Sequence, residues 1–479
     1  MIVTRLLGAL LAALLLAAPA HAQVSRPNIV FVLTDDLSWN LVQYMPQVRA
    51  LQRDGATFSR YVVTNSLCCP SRASILTGRY PHSTGVLTNM PPAGGFDAFH
   101  QFEEWNTFAT SIQSSGYMTA LMGKYLNGYR PGWYIVPAGW TAWAVGGEDY
   151  DNFDYKLLVK RPGGAAQIER HGRKRRDYLT DVISRHGQEF IQTAVRSRKP
   201  FLLELSTYAP HLPFTPHPRD RRKFGGLTAP RGSLFDATRP ERGPAWLPDR
   251  PLTARQLARL DRDFRKRAQS VQAIDRMIGR LRAHLQRLGV AHNTYFVFSS
   301  DNGFHLGERG LQRGKQTAFD HDVRVPLIVV GPGVPAGVTI PQLAANVDLR
   351  PTFQELTGAL TGPRVEGRSL VPLLRGAVPE RWRDAVLIEH RHTNSLPGDP
   401  DRQGPPQGRP PSYKALRFAD ALYVEYENPR HPPEYYEDPD ERVNIYDELT
   451  PERRAELSAR LARLATCSGG ASCQAADSP

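Results

Sequence analysis

Residues 28–36 read NIVFVLTDD, a short run of apolar and β-branched residues from Asn28 to Thr34 followed at once by Asp35 and Asp36. Such a run predicts a buried strand in a sheet covered on both faces. Similar runs recur at residues 117–122, 201–206, 295–300 and 327–330. Helical patterns lie between them: 45–53 stopped by Gly55, 177–196, and 254–288 stopped by Gly289. Alternating strands and helices predict an α/β fold, with a large, mixed, mostly parallel sheet sandwiched by helices. After roughly Val371 the pattern changes. A Pro- and Gly-rich stretch (398–411), short β-branched and aromatic runs such as 421–426, and an amphipathic helix over 451–464 predict a smaller C-terminal α+β subdomain. The expected division is 23–371 for the catalytic domain, 372–465 for the subdomain and 466–479 for a tail. No internal repeat is found.

The chain has 479 residues, enough for a large domain with a smaller one beside it. It opens MIVTRLLGALLAALLLAAPAHAQ. A positive start at Arg5, an apolar stretch from Leu6 to Ala18 and the small-x-small site Ala20-His21-Ala22 read as a signal peptide over 1–22. The apolar stretch is too short for a membrane span, and no later segment qualifies. Cleavage near Ala22 predicts a secreted or periplasmic protein. The formal charge is +13, which attracts polyanions. In that compartment a sulfated or otherwise acidic glycan fits better than nucleic acid. The densest positive cluster, Arg170 to Arg176, reads first as a solvated loop and second as a secondary anion contact.

Four cysteines are present. Cys467 and Cys473, in TCSGGASC, are expected to form a small-loop disulfide that pins the tail. Cys68 and Cys69 are adjacent, and adjacent cysteines rarely bond each other. Their segment is CCPSRASILTGR, residues 68–79. A helix starting near Pro70, together with Arg72, makes a site for an anion. A thiol placed there is expected to have a lowered pKa. A nucleophile facing an oxyanion substrate follows from the residue types alone.

Cys68-x-Pro70-Ser71-Arg72, followed by Leu76-Thr77-Gly78-Arg79, resembles the signature of the type I, formylglycine-dependent sulfatases of the alkaline-phosphatase superfamily. The resemblance extends from Arg26 to about Asn444. It implies that Cys68, not Cys69, is oxidised to formylglycine (3-oxoalanine) by a formylglycine-generating enzyme. It also implies that the hydrate of that aldehyde attacks the sulfur of a sulfate ester.

A second constellation is metal-binding. Asp35 and Asp36 end one predicted strand, and Asp301-Asn302-Gly303 end another. Ligands in open α/β sheets gather beyond the carboxyl ends of strands. Three carboxylates and an amide oxygen form a hard site that selects Ca²⁺, with Mg²⁺ as the alternative. The resemblance places a cation on Asp35, Asp36, Asp301 and Asn302, with position 68 as a further ligand. It also assigns sulfate contacts and proton handling to Lys124 in GKY, His211 in APH and Lys315 in GKQ, and charge stabilisation to Arg72.

One position departs from the family pattern. Many sulfatases carry a histidine two residues after the first lysine, where this chain has Leu126 and then Asn127. The variant GKYLN resembles the branch containing N-acetylglucosamine-6-sulfatases and heparan sulfatases. That makes Asn127 a candidate substrate contact and His305 a candidate for the missing histidine's role. A sulfated carbohydrate is the implied substrate. Two rival readings are a phosphomonoester, phosphodiester or phosphonate hydrolase of the same superfamily, and a sulfated-glycan binding protein without catalysis.

Overall fold

The computed structural model describes residues 26–240, 242–392, 401 and 408–478. The signal-peptide reading of residues 1–22 falls outside them. The strand read first is β1, Asn28–Thr34, and all seven of its residues are buried. It lies inside a ten-stranded sheet with β2 (Ala56–Phe58), β4 (Met118–Gly123), β5 (Ala142–Val145), β6 (Tyr155–Lys160), β7 (Gln167–His171), β8 (Phe201–Ser206), β9 (Thr294–Ser300), β10 (Leu327–Val330) and β11 (Val338–Ile340). The order is β11-β2-β10-β9-β1-β8-β4-β5-β6-β7. The central block β9-β1-β8-β4-β5 is parallel, and β10, β6 and β7 pair antiparallel. The mixed, mostly parallel α/β sheet is therefore as the sequence predicts.

Alternation along β1 sends Ile29, Phe31 and Leu33 into one core and Val30 and Val32 into the other. Helices Leu179–Arg196 and Ala254–Arg287 cover the second face, and Cys68–Thr77 and Leu349–Thr357 the first. Two-residue strands β3 (Tyr61–Val62) and β12 (Ala344–Ala345) pair beside this layer. A separate antiparallel sheet, β13 (Ala385–His390), β14 (Tyr413–Phe418), β15 (Leu422–Tyr426) and β16 (Glu434–Tyr436), is followed by helix Pro451–Leu464. Beyond that helix the structure joins Cys467 to Cys473 in a disulfide. Among the described residues, no helix is long and apolar enough to cross a membrane.

One buried carboxylate in this core has a measurable consequence. Glu204 lies mid-strand in β8, between Phe31 of β1 and Leu121 of β4, and its Oε2 has no partner. Burial pushes its carboxyl up to about 7, with Arg72 acting in the opposite direction. The folded state therefore holds a proton that the unfolded chain releases above its ordinary value near 4.5. Stability is full below that value and falls as pH rises through about 7. Glu204→Gln is expected to be neutral at pH 4 and stabilising by up to about 3 kcal/mol at pH 8. Urea unfolding at both pH values checks this, and an equal effect at both would contradict it.

Candidate active site

The parallel pairing of β1 with β9 puts Thr34 opposite Ser300, so the residues that follow both strands converge. The Asp301 N–H donates to the Thr34 carbonyl at 3.0 Å, and the Asp36 N–H to Asp301 Oδ1 at 3.1 Å. Asp36 makes its turn at φ +64°, a left-handed conformation that costs a non-glycine residue energy and is found at functional sites. Gly303 follows because a Cβ there would sit 2.3 Å from the His321 carbonyl oxygen. Asp35, Asp301 and Asn302 are fully buried and Asp36 is nearly so.

Helix Cys68–Thr77 aims its first turn at this cluster, and every residue in it is buried. Cys68 Sγ lies 3.3 Å from Asp35 Oδ1 and 2.8 Å from Lys315 Nζ. One turn on, Arg72 Nε donates to Asp301 Oδ2 at 2.7 Å, and its Nη1 donates to the Lys124 carbonyl and Ser206 Oγ. Lys124 follows β4, where Gly123 is required because a Cβ would meet the Ser206 carbonyl at 1.9 Å. Its Nζ donates to Asp35 Oδ2 at 2.7 Å, and Lys315 Nζ donates to Asp36 Oδ1 at 2.6 Å. His211, beyond β8, has Nε2 3.6 Å from Asp36 Oδ2. Cys68, Arg72, Lys124, His211, Lys315 and the four oxygen donors thus occupy one centre.

Burial alone would lower the pKa of Lys124, Lys315 and His211, but the surrounding carboxylates outweigh it and each is raised. All three therefore favour the protonated state. Cys68 departs from the sequence reading. Burial first, then Asp35 and Asp401, push its thiol well up, and the two lysines offset only part. The expected lowering from a helix start and an arginine fails because the thiol is fully buried and faces carboxylates. An unmodified Cys68 is thus a poor nucleophile near neutral pH.

Asn127 sits at the edge of the cluster. Its N–H donates to Cys69 Sγ at 3.0 Å and its Nδ2 to the Tyr150 hydroxyl at 3.0 Å. His305 stands apart. Its Nδ1 bonds Asp322, 3.0 Å from both carboxylate oxygens, and its backbone pairs with Gly314, next to Lys315.

Sequence reasoning missed three site residues. Asp401 lies in the Pro- and Gly-rich stretch 398–411, from which no site residue was read. Its Oδ1 is 2.8 Å from His211 Nε2 and 2.7 Å from Lys315 Nζ, and its Oδ2 lies 3.6 Å from Cys68 Sγ. Asn89 accepts from the Cys69 N–H at 2.8 Å and donates to Asp401. Tyr150 packs against His211, with ring centroids 4.3 Å apart and the planes tilted by 35°, and lies under Lys124. No local signal marks Asn89 or Tyr150, whereas Asp401 is one acid in a run, GDPDR, that resembles a turn.

Two buried acceptors in this centre, Asp36 Oδ2 and Asn302 Oδ1, have no hydrogen-bond partner. Asp35, Asp36, Cys68 and His211 also bring ligand atoms within 4.8 Å of one another. Unpartnered buried oxygens amid hard donors are what a divalent cation satisfies.

A centre of this composition, at the carboxyl ends of a parallel sheet, defines a hydrolase acting on an oxyanion ester. The family model described as Sulfatase matches residues 27–359, and that for the N-sulphoglucosamine sulphohydrolase C-terminal region matches residues 307–466. The chain belongs to the sulfatase family and is a sulfuric ester hydrolase. It is 34% identical to N-acetylglucosamine-6-sulfatase of Homo sapiens over 482 residues, spanning 94% of this chain and 86% of that protein. Among solved structures, BT4656 in complex with its substrate D-glucosamine-2-N,6-O-disulfate aligns with TM-score 0.75 and 24% identity over 91% of this chain and 97% of that one. The phosphonate monoester hydrolase of Silicibacter pomeroyi aligns at 0.69 and 22% over 91% and 94%. These two likenesses describe the fold alone.

Proposed function

We propose that this chain removes 6-O-sulfate from N-acetylglucosamine-type residues of a sulfated glycan, using formylglycine made from Cys68 and a Ca²⁺ ion. The observation that carries the reading is Cys68 set between the Asp35–Asp36 pair and the buried ammonium of Lys315. The names of the relatives support the sugar. Asp35, Asp36, Asp301 and Asn302 would hold the ion, with position 68 completing the set. The ion would supply Lewis-acid stabilisation of sulfate charge. Formylglycine would supply the attacking oxygen.

The chain's own groups do the remaining work. Lys124 and Lys315, kept protonated by neighbouring carboxylates, neutralise sulfate oxygens that gain charge during transfer. Arg72 fixes Asp301 and so the orientation of the acidic cluster. His211, whose proton is favoured by Asp36, Asp35 and Asp401, donates it to the departing sugar alcohol. Leu126 is buried and apolar, so no proton passes through that position. Asn127 offers the sugar an amide contact, and His305, held by Asp322, steadies the Gly314–Lys315 segment from outside the centre.

The same reading takes residues 23–371 as the catalytic domain, 372–465 as a supporting subdomain and 466–479 as a pinned tail. It makes the protein exported, with cleavage near Ala22. A disulfide suits that oxidising compartment. The peptide Tyr61–Arg72, taken from protein secreted by its own host and alkylated, is expected to carry an alkylated Cys69 and an aldehyde mass at position 68. Two alkylated thiols would refute the maturation. Faster turnover of an aryl phosphate than of an aryl sulfate would move the reading to a phosphate or phosphonate ester.

A further inference from the structure

The basic run at residues 170–176 is an exposed loop and turn from Gly172 to Arg176, but its first two residues, Arg170 and His171, close the edge strand β7. Register places Lys156 of β6 directly opposite Arg170, both exposed. Like charges facing each other across strands are destabilising. Nearby Arg161 and Arg173 are paired with Glu169 and Asp154, whereas no ion pair engages Lys156 or Arg170 among the described residues. A repulsive pair left unneutralised at a sheet edge points to an anion supplied from outside.

The pair sits at the active-site end of the sheet. β5 ends at Val145, level with Leu158, so Lys156 lies beyond the carboxyl end of β5. β7 is three strands from β4, which ends beside Lys124, a lateral distance of roughly 14 Å. Two segments bridge the gap. The β5–β6 connection carries Tyr150, which touches His211 and Asn127. The segment leaving Asn127 passes Arg130 to a short turn, Pro131–Trp133, that packs against β6.

That turn exposes aromatic rings. Trp133 and Tyr134 are 43% and 58% exposed, large values for such side chains. Arg130 lies over the Trp133 ring at 5.6 Å, and Trp133 also contacts Phe96, whose N–H donates to the Asn127 carbonyl at 2.7 Å. Tyr134 holds φ +58°, unfavourable for an aromatic residue. Leu158 and Ile168, on the same hairpin face as Lys156 and Arg170, belong to or pack against the core that also receives Ile135 and Val136. The turn that carries the rings thus packs against the strand that carries Lys156.

We propose that this rim, from Asn127 through Arg130, Trp133 and Tyr134 to Lys156 and Arg170, binds the continuing chain of a polysulfated glycan whose terminal sulfate enters the active site. Flat aromatic faces suit the apolar faces of sugar rings, and the spaced cations suit sulfates that recur along a polymer. The inference deepens the proposed function and rests on its glycan reading.

The test compares Lys156→Glu/Arg170→Glu and Trp133→Ala proteins with the parent. Binding to heparin oligosaccharides is measured across a salt series, in a Cys68→Ala background so that it is independent of turnover. Hydrolysis is measured separately on the polymer and on a small aryl sulfate. The charge variant is expected to bind the polymer about tenfold more weakly with a shallower salt dependence. Trp133→Ala is expected to weaken binding severalfold with an unchanged salt slope. Both retain aryl sulfate turnover, which also reports that they fold. Unaltered polymer binding in both variants would overturn the proposal, as would preference of the parent for single-stranded DNA over heparin. Absence of any sulfate hydrolysis would overturn the proposed reaction instead and leave the binding result to be judged alone.

Discussion

Cys68→Ala is expected to lower turnover of every sulfate ester by about 10⁴-fold or more, because it removes the thiol whose oxidation would leave the aldehyde on Cβ. The fold should survive. Cys68 is fully buried, and alanine deletes only a thiol. Glycan binding should persist, since the two lysines and His211 remain. Steady-state kinetics on an aryl sulfate, alongside binding of the sulfated sugar, separate the two effects. Turnover equal to the parent would sink the proposed chemistry. Lost binding with a lost thermal transition would report misfolding, which circular dichroism distinguishes.

Arg72→Ala should fail twice. Arg72 and Asp301 form a buried pair at 2.7 Å, with side-chain exposures of 3% and 0%. Deleting the guanidinium leaves the buried Asp301 carboxylate without its cationic side-chain partner, held only by backbone N–H donors, a change that costs about 3–5 kcal/mol. The Ser206 hydroxyl and the Lys124 carbonyl lose a partner too. Activity should fall by a further 10²–10³-fold or so, through loss of fixed positive charge at the centre. Arg72→Lys restores charge without the planar fork, so it should recover part of the stability and little of the rate. Urea midpoints and kcat for both variants check this. An Arg72→Ala protein as stable as the parent would show that the acidic cluster does not need the arginine.

Much of the fold was readable because its central strands are continuous apolar runs, and a run such as residues 28–34 has few other uses. The strands at the sheet's far edge were not readable. β7 reads QIERH, and only its pairing with β6 makes it a strand. Its charged residues look like loop because that edge is open to solvent. Site residues were legible where several chemistries coincide in a short motif, as at Cys68, Arg72 and Asp301-Asn302. Asp401, Asn89 and Tyr150 were not, since each is a single ordinary residue brought in by long-range packing. The thiol of Cys68 shows the same limit. Its local helix and arginine point one way, while Asp35, distant in sequence, and burial decide the outcome.

The helix Cys68–Thr77 has no residue on the surface. An enzyme that must grasp residues 68–72 to convert Cys68 cannot do so once this helix has docked under the sheet. If Cys68 is converted as proposed, the conversion would have to precede docking of this helix, and capture of the motif would compete with folding. On that reading, a chain that folded first would be stable, correctly shaped and permanently inert. Faster folding, ordinarily an asset, would here lower the yield of working enzyme, and specific activity would record the history of each molecule's synthesis rather than its present structure.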